Sequence, residues 1–451
     1  MRIKNISVSN LFGTFNHVVP LNKENRITII HGKNGFGKTA LLRLINRIFN
    51  LRYSELRAIP FNDLQIEFDN NSTVKVSKSL TKGGKRKKSD TQLVFDFINY
   101  DGVKEKSFSL EGSENNKSNI SFSSLSMIDE LIPELDRVSP TSWIYLPTNE
   151  ELSIEDVLER FEGRLNRYLP GEVIVNKHPE WLEDIRNSIH VRFIESQRLL
   201  NLSSSSRSRQ YTRRTSMSPS VATYANELAE DIQAKLAEYG TLAQSLDRTF
   251  PVRVVQRKVS SKLTDEKLRK KLDELEQKRY QLIDAGLLDK DEDPNFQVKE
   301  QIDESTKKLL SVYVEDIENK LSVFKELAKK IDLLKRILNK KFSYKQIIIN
   351  KEKGFIFTTY DGNYLSPTDL SSGEQHELVL LYELLFKVEP NSLILIDEPE
   401  LSLHVEWQVE FLKDLQDITK LADIDVLIAT HSPDIIHDRW DLTVQLEGPT
   451  K

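Results

Sequence analysis

Gly32-Lys33-Asn34-Gly35-Phe36-Gly37-Lys38-Thr39 sets glycines, a lysine and a hydroxyl at the spacing G-x-x-x-x-G-K-[ST]. Glycines let backbone N–H groups wrap a phosphate chain, Lys38 supplies the neutralising charge, and the Thr39 hydroxyl is a ligand for Mg2+. Far along the chain, Leu393-Ile394-Leu395-Ile396 runs straight into Asp397 and Glu398. Four apolar residues followed by two acids read as a buried strand that leaves carboxylates at its C-terminal edge, where parallel sheets place ligands. Asp397 would there hold Mg2+ through water, and Glu398 would polarise the water that attacks a γ-phosphate. Val426-Leu427-Ile428-Ala429-Thr430-His431 is a second buried strand, ending in a histidine that could donate to the same phosphate. A strand over 190–195 leads to Gln197, a side chain able to reach Mg2+ or the attacking water.

A further anion site is written in Leu370-Ser371-Ser372-Gly373-Glu374-Gln375, where Gly373 opens an apolar-periodic run through Leu378, Leu381, Leu385 and Phe386. The free N–H groups and dipole of a helix start favour a phosphate, and serine with glycine lets it come close. Taken alone such a turn is ordinarily a cap. A second phosphate-binding helix start, however, has no evident use inside a subunit that already carries 32–39.

The elements that must position these residues follow from periodicity. Ile6 and Val8 alternate with Ser7 and Ser9, Phe15, Val18 and Val19 form a second apolar patch, and 26–30 is a third strand entering the glycine loop. The helix after the loop carries Leu41, Leu42, Leu44, Ile45 and Ile48. A β-rich extension occupies 54–130, with strands at 64–68, 74–76 and 93–97 around a basic loop, 82–88. A helical stretch at 154–169 precedes the strand at 190–195. At Ser203 the composition shifts to a Ser/Arg segment ending near Arg213 and Arg214, and long helical patterns follow, one through Ala225, Leu228, Ile232 and Leu236, another through Leu268, Leu272 and Leu275. A third steps by three and four from Leu310 to Leu338, predicting one helix over 297–340 on the order of 65 Å long. Asp289, Asp291, Asp293 and Glu300 mimic a calcium loop, but Pro294 stands where that loop needs glycine, so this is read as an acidic turn. Strands at 347–349 and 355–358 bring the chain back to Ser371.

Composition sets the outer bounds. The 451 residues suffice for about two or three structural units. Acidic and basic residues, 69 against 64, leave a net charge of −5, so no global field draws the chain onto nucleic acid or membrane. Without cysteine there is no disulfide frame, zinc ribbon or thiol nucleophile. The apolar runs fall short of a bilayer span, and the expectation is a cytoplasmic protein with no membrane partner.

In order and spacing, 32–39, Gln197, 370–375, 393–398, 402–404 and His431 resemble the motifs of an ABC-type ATPase head, of the branch that includes RecF, the SMC proteins and the OLD-type nucleases. The resemblance implies an α/β fold: a P-loop head of mixed sheet flanked by helices, with a β-rich N-terminal lobe and an inserted antiparallel helical arm. The expected division is 1–200 and 343–451 for the two halves of the head and 201–342 for the arm. It also implies an ATPase using ATP and Mg2+. Residues 32–39 would bind the nucleotide, Thr39, Gln197 and Asp397 the metal, and Glu398 and His431 would be catalytic. Ser371, Ser372, Gly373 and Glu374 would close on the nucleotide of a second copy, in an ATP-sandwiched dimer or higher homo-oligomer. The wording of 371–386, 396–408 and 429–448 is similar to stand-alone ATPases of bacterial anti-phage defence, most of all the AriA type of PARIS systems, with the PtuA type of Septu and retrons as relatives. That similarity implies a Toprim-type nuclease effector held in trans and a phage anti-restriction protein as trigger. The alternative is a RecF-like DNA-binding ATPase of repair or recombination, whose basic segments would meet nucleic acid directly.

Overall fold

The computed structural model describes residues 1–50, 52–80, 91–110, 127–129, 131–140, 142–145, 150–154, 157–158, 161, 165, 179–194, 200–202, 217–257, 264–290 and 302–448. Gln197, the basic loop 82–88, the Ser/Arg segment and most of 154–169 lie outside the described residues. The contacts divide the chain into two units, 1–218 with 387–451, and 219–386. In this division the 347–358 strand pair and the Ser371 turn fall with the long helices.

The first unit opens with Ile3–Leu11 (β1), Phe15–Pro20 (β2) and Ile27–His31 (β3), then Lys38–Phe49 (α1) and Tyr53–Ala58 (α2). Four strands follow: Asp63–Phe68 (β4), Thr73–Leu80 (β5), Thr91–Ile98 (β6) and Lys104–Leu110 (β7). All but β3 join in one antiparallel sheet of order β2-β1-β4-β5-β6-β7. Alternation fixes its register, since Ile6 faces Val19 on one side and Ile66 on the other, and all three are buried. Strand β7 was not legible because its sequence, KEKSFSL, is that of an exposed edge, charged where a central strand would be apolar. A small sheet of Leu135–Ser139 (β8), Ser142–Tyr145 (β9) and Glu150–Ser153 (β10) closes over buried Trp143. Then come Glu180–Ser188 (α3), Val191–Ile194 (β11) and two short strands paired with each other, Leu200–Leu202 (β12) and Met217–Pro219 (β13).

The second unit holds the helices. Ser220–Gln256 (α4) is the longest, followed by Asp265–Asp284 (α5), Glu304–Ser322 (α6) and Lys325–Lys341 (α7). Ion pairs fix their directions: Arg253 with Asp316 and Lys320 with Asp247 make α4 and α6 antiparallel, whereas Lys307 with Asp265 and Lys278 with Glu318 make α5 and α6 parallel. The single helix expected over 297–340 is therefore two. The break falls at Val323 and Phe324, with neither proline nor glycine to announce it, and Phe324 is fully buried, so the three-and-four spacing from Leu321 to Leu327 runs on across the break. Lys345–Asn350 (β14), Gly354–Thr359 (β15) and Tyr364–Leu365 (β16) form an antiparallel sheet, and Ser372–Phe386 (α8) completes the unit. Gly354 has φ 70°, and a Cβ there would lie 1.8 Å from the Ala225 carbonyl oxygen, so only glycine lets β15 come this close to α4.

Returning to the first unit, the chain adds Leu393–Asp397 (β17), Val405–Ala422 (α9), Asp425–Ala429 (β18), Pro433–Ile436 (α10) and Thr443–Gln445 (β19). With β3 and β11 these strands build an all-parallel sheet of order β11-β17-β18-β3-β19. Leu393, Ile394, Leu395, Ile396, Val426, Leu427 and Ile428 are all buried, as strands covered on both faces require. Helix α1 shares one hydrophobic core with both large sheets. Its buried Leu41, Leu42, Leu44, Ile45, Ile48 and Phe49 each contribute roughly 1.5–3 kcal/mol before ordering costs. Among the described residues no helix is long and apolar enough to cross a membrane.

Candidate nucleotide site

The C-terminal ends of β3, β17 and β18 lie side by side, and each carries its polar residues just past its last buried position. After β3 the chain turns through 32–37 into α1. Gly37 stands before the helix with φ 84°, a left-handed conformation that costs an L side chain roughly 1–2 kcal/mol, and a Cβ there would meet Leu11 at 2.7 Å. The turn is pinned from behind: His17 Nε2–H donates to the Phe36 carbonyl at 2.8 Å, and the Phe36 ring lies against Phe15 and Gly448. Asn34 and Gly35 line the cavity in front of it, and Lys33 is exposed.

Lys38 is nearly buried. Its ammonium donates to the carbonyls of Gly32 at 3.0 Å and Lys33 at 3.4 Å and to His431 Nδ1 at 3.3 Å. An ammonium can only donate, so Nδ1 accepts, and the imidazole proton sits on Nε2, 3.9 Å from Glu398 Oε1. Burial lowers the Lys38 pKa, and the nearby charges of Glu398, Asp397 and Glu400 act against that. The Thr39 hydroxyl donates to Asp397 Oδ1 at 3.1 Å. Burial pushes Asp397 up to about 6, held back by the Thr39 hydrogen bond and pushed further by Glu398. Glu398 adopts a left-handed backbone, φ 44° and ψ 60°, and opens a 3-10 turn, Pro399–Ser402. A cavity of about 460 Å³ lies in front of these groups, lined by Phe12, Lys38, Thr39, Arg43, Glu398 and His431 among others.

The residue the sequence reading missed is Glu400. One carboxylate oxygen, Oε1, accepts the Thr430 hydroxyl at 2.8 Å and the N–H groups of His431 at 2.8 Å and Ser432 at 3.2 Å. The available signal was a third acid two residues after Glu398.

In the second unit, Ser371 stands immediately before α8, which begins at Ser372, one residue earlier than the Gly373 start expected. The Ser371 N–H and hydroxyl both donate to Glu374 Oε2 at 2.8 Å, and the Ser371 Oγ accepts the Glu374 N–H at 3.4 Å, so the pair forms a capping box. Lys345 grips the same carboxylate at 2.8 and 2.7 Å, which holds the Glu374 pKa down. Glu374 is buried and engaged within its own unit, whereas Ser371 and Ser372 are exposed and Gly373 has open space about it.

The donor set fits ATP with Mg2+. Helix geometry leaves the first N–H groups of α1 unpaired toward the loop, Lys38 is the cation beside them, and Thr39 with Asp397 offers two hard oxygens. Among the described residues no group of three His, Cys, Asp or Glu side chains is placed to hold a metal ion.

A family model described as "AAA ATPase domain" matches residues 1–436. No protein of curated function matches the sequence. Among solved structures, the Smc head domain of Pyrococcus furiosus with an extended coiled coil, bound to the C-terminal domain of ScpA, aligns at 13% identity over 96% of this chain and 91% of that chain, with a TM-score of 0.29. The SMC head domain from Thermotoga maritima aligns at 9% identity over 97% and 91%, with a TM-score of 0.31. At scores this low the likeness adds nothing to what the chain's own sheets and motifs establish. The family match spans nearly the whole length, and the chain belongs to the AAA ATPase domain family.

Proposed function

We propose that this protein is an ATP-hydrolysing switch that acts as an ATP-joined pair of copies and controls a separate nuclease effector in defence against phage. The observation that carries the ATPase reading is the convergence of Lys38, Thr39, Glu398 and His431 on one cavity from three adjacent strand ends, with Asp397 hydrogen-bonded to Thr39. Thr39 and Asp397 would hold Mg2+, which when bound neutralises charge on the β- and γ-phosphates. Lys38 exchanges the Gly32 and Lys33 carbonyls for phosphate oxygens. Glu398 accepts a proton from the water that attacks the γ-phosphorus as the bond to the bridging oxygen of ADP breaks. His431, its proton on Nε2, donates to the γ-phosphate and loses that partner when phosphate leaves. Ser371, Ser372 and Gly373 of a second copy supply the opposing helix start.

The defence role rests on the similarity of 371–386, 396–408 and 429–448 to anti-phage ATPases. The test is purification of the tagged chain from its native cells with and without ATP. A Toprim-type nuclease that co-elutes in a nucleotide-dependent way supports the switch. Tight duplex DNA binding with a steep salt slope, and no nuclease, would instead favour a RecF-like repair ATPase.

A further inference from the structure

Glu400 has no part in the chemistry above, yet its carboxylate is placed with care. The left-handed Glu398 turns the chain so that Glu400, three residues after Asp397, reaches back to the end of β18. There one oxygen gathers three donors from three consecutive residues, Thr430, His431 and Ser432, and Thr430 is completely buried. The same loop is fastened from its other side by Gln408. The Gln408 Oε1 accepts the Ser432 hydroxyl at 2.8 Å, while its Nε2 donates to the carbonyls of Leu403 at 3.2 Å and Glu400 at 3.4 Å. The other carboxylate oxygen, Oε2, is buried with no hydrogen-bond partner among the described residues.

That arrangement is poor for stability alone. A buried acceptor without a donor costs about 1–3 kcal/mol. The carboxylate also stands close enough to Asp397 for its charge to raise that group. A neutral glutamine could offer the same oxygen without adding charge beside two other acids. What the charge provides is stronger hydrogen bonds to the backbone on both sides of the His431 side chain.

We propose that Glu400 is a positioning residue for the hydrolysis reaction, locking the 430–432 turn so that the His431 imidazole stands between Lys38 and Glu398 with its Nε2–H toward the phosphate side. The inference rests on the reading of His431 as a phosphate donor. It ties the turn bearing the general base to the turn bearing the donor, so that neither can shift without the other.

A double-mutant cycle on ATP turnover tests it, using the full-length protein, Glu400→Gln, His431→Ala and the double variant. Glu400→Gln should lower kcat about tenfold while leaving KM for ATP within about twofold. In the His431→Ala background the same change should cost less than about twofold further, because the group it acts through is gone. Thr430→Val, which removes one donor to Glu400 and an acceptor of the Ser432 N–H at 2.9 Å, should give a smaller loss of kcat that likewise disappears without His431. Should Glu400→Gln fail to fold, the Thr430→Val cycle decides alone. Unchanged kcat in Glu400→Gln, or a full additional loss on top of His431→Ala, would overturn the inference while leaving the hydrolysis reading intact. Wild-type protein without turnover, or His431→Ala at full rate, would overturn that reading and this inference with it.

Discussion

Thr39 and Asp397 lie 358 positions apart, and the hydroxyl of one donates to the carboxylate of the other at 3.1 Å. The parallel sheet makes the pair, because β3 and β17 both border β18 and end at one level.

The raised pKa of Asp397 predicts a stability cost that function imposes. Its folded value is about 6 against an ordinary 3.8, so the folded state holds the proton more tightly. The stabilisation linked to that proton is fully present below about pH 3.8 and is lost as pH rises through about 6. Asp397→Asn should therefore melt at a higher temperature than wild type at pH 7.5 without nucleotide, and the difference should shrink as pH falls below about 6 and vanish only below about pH 3.8. The same variant should lose Mg2+-dependent ATP hydrolysis. Thermal melts across pH with a turnover assay check both halves.

Glu398→Gln keeps the size of the side chain and removes its ability to take a proton. Turnover should fall by about a hundredfold or more while ATP binding persists. Quenched-flow phosphate release and nucleotide titration check this, and a variant that hydrolyses ATP at the normal rate would remove Glu398 from its role.

How much of this was legible in the sequence divides along physical lines. The glycine loop, the two buried strands and their terminal acids and histidine are written in consecutive residues, and the structure puts all of them at one sheet edge. Glu400 was not legible because its partners lie about thirty residues away, and the local signal, a third acid two residues after Glu398, does not tell an acid that binds a distant turn from a solvated one. The break at Val323 and Phe324 escaped because burial continues through it at helical spacing. Glu374 was read with the nucleotide-binding turn, and the structure ties its carboxylate to Ser371 and Lys345.

The second unit carries a buried ion pair, Lys341 with Glu377 at 2.5 Å, each side chain 1% exposed. It joins α7 to α8, the helix that Ser371 begins. Lys341→Met alone should destabilise the fold by about 3–5 kcal/mol by stranding the carboxylate, whereas Lys341→Met with Glu377→Leu should recover most of the loss. Urea unfolding of the three proteins measures it. Equal destabilisation in the single and double variants would mean that packing and not charge pairing holds this joint.

The central claim is that one copy's Lys38 loop and another copy's Ser371 turn hold the same nucleotide. Lys38→Ala and Ser371→Arg should each be inactive alone. Co-expressed, they pair so that one of the two shared sites in a mixed dimer has both elements intact, and random pairing predicts roughly a quarter of wild-type turnover. Recovery near that level is the expected result. A mixture no more active than either variant by itself would contradict a site shared between copies.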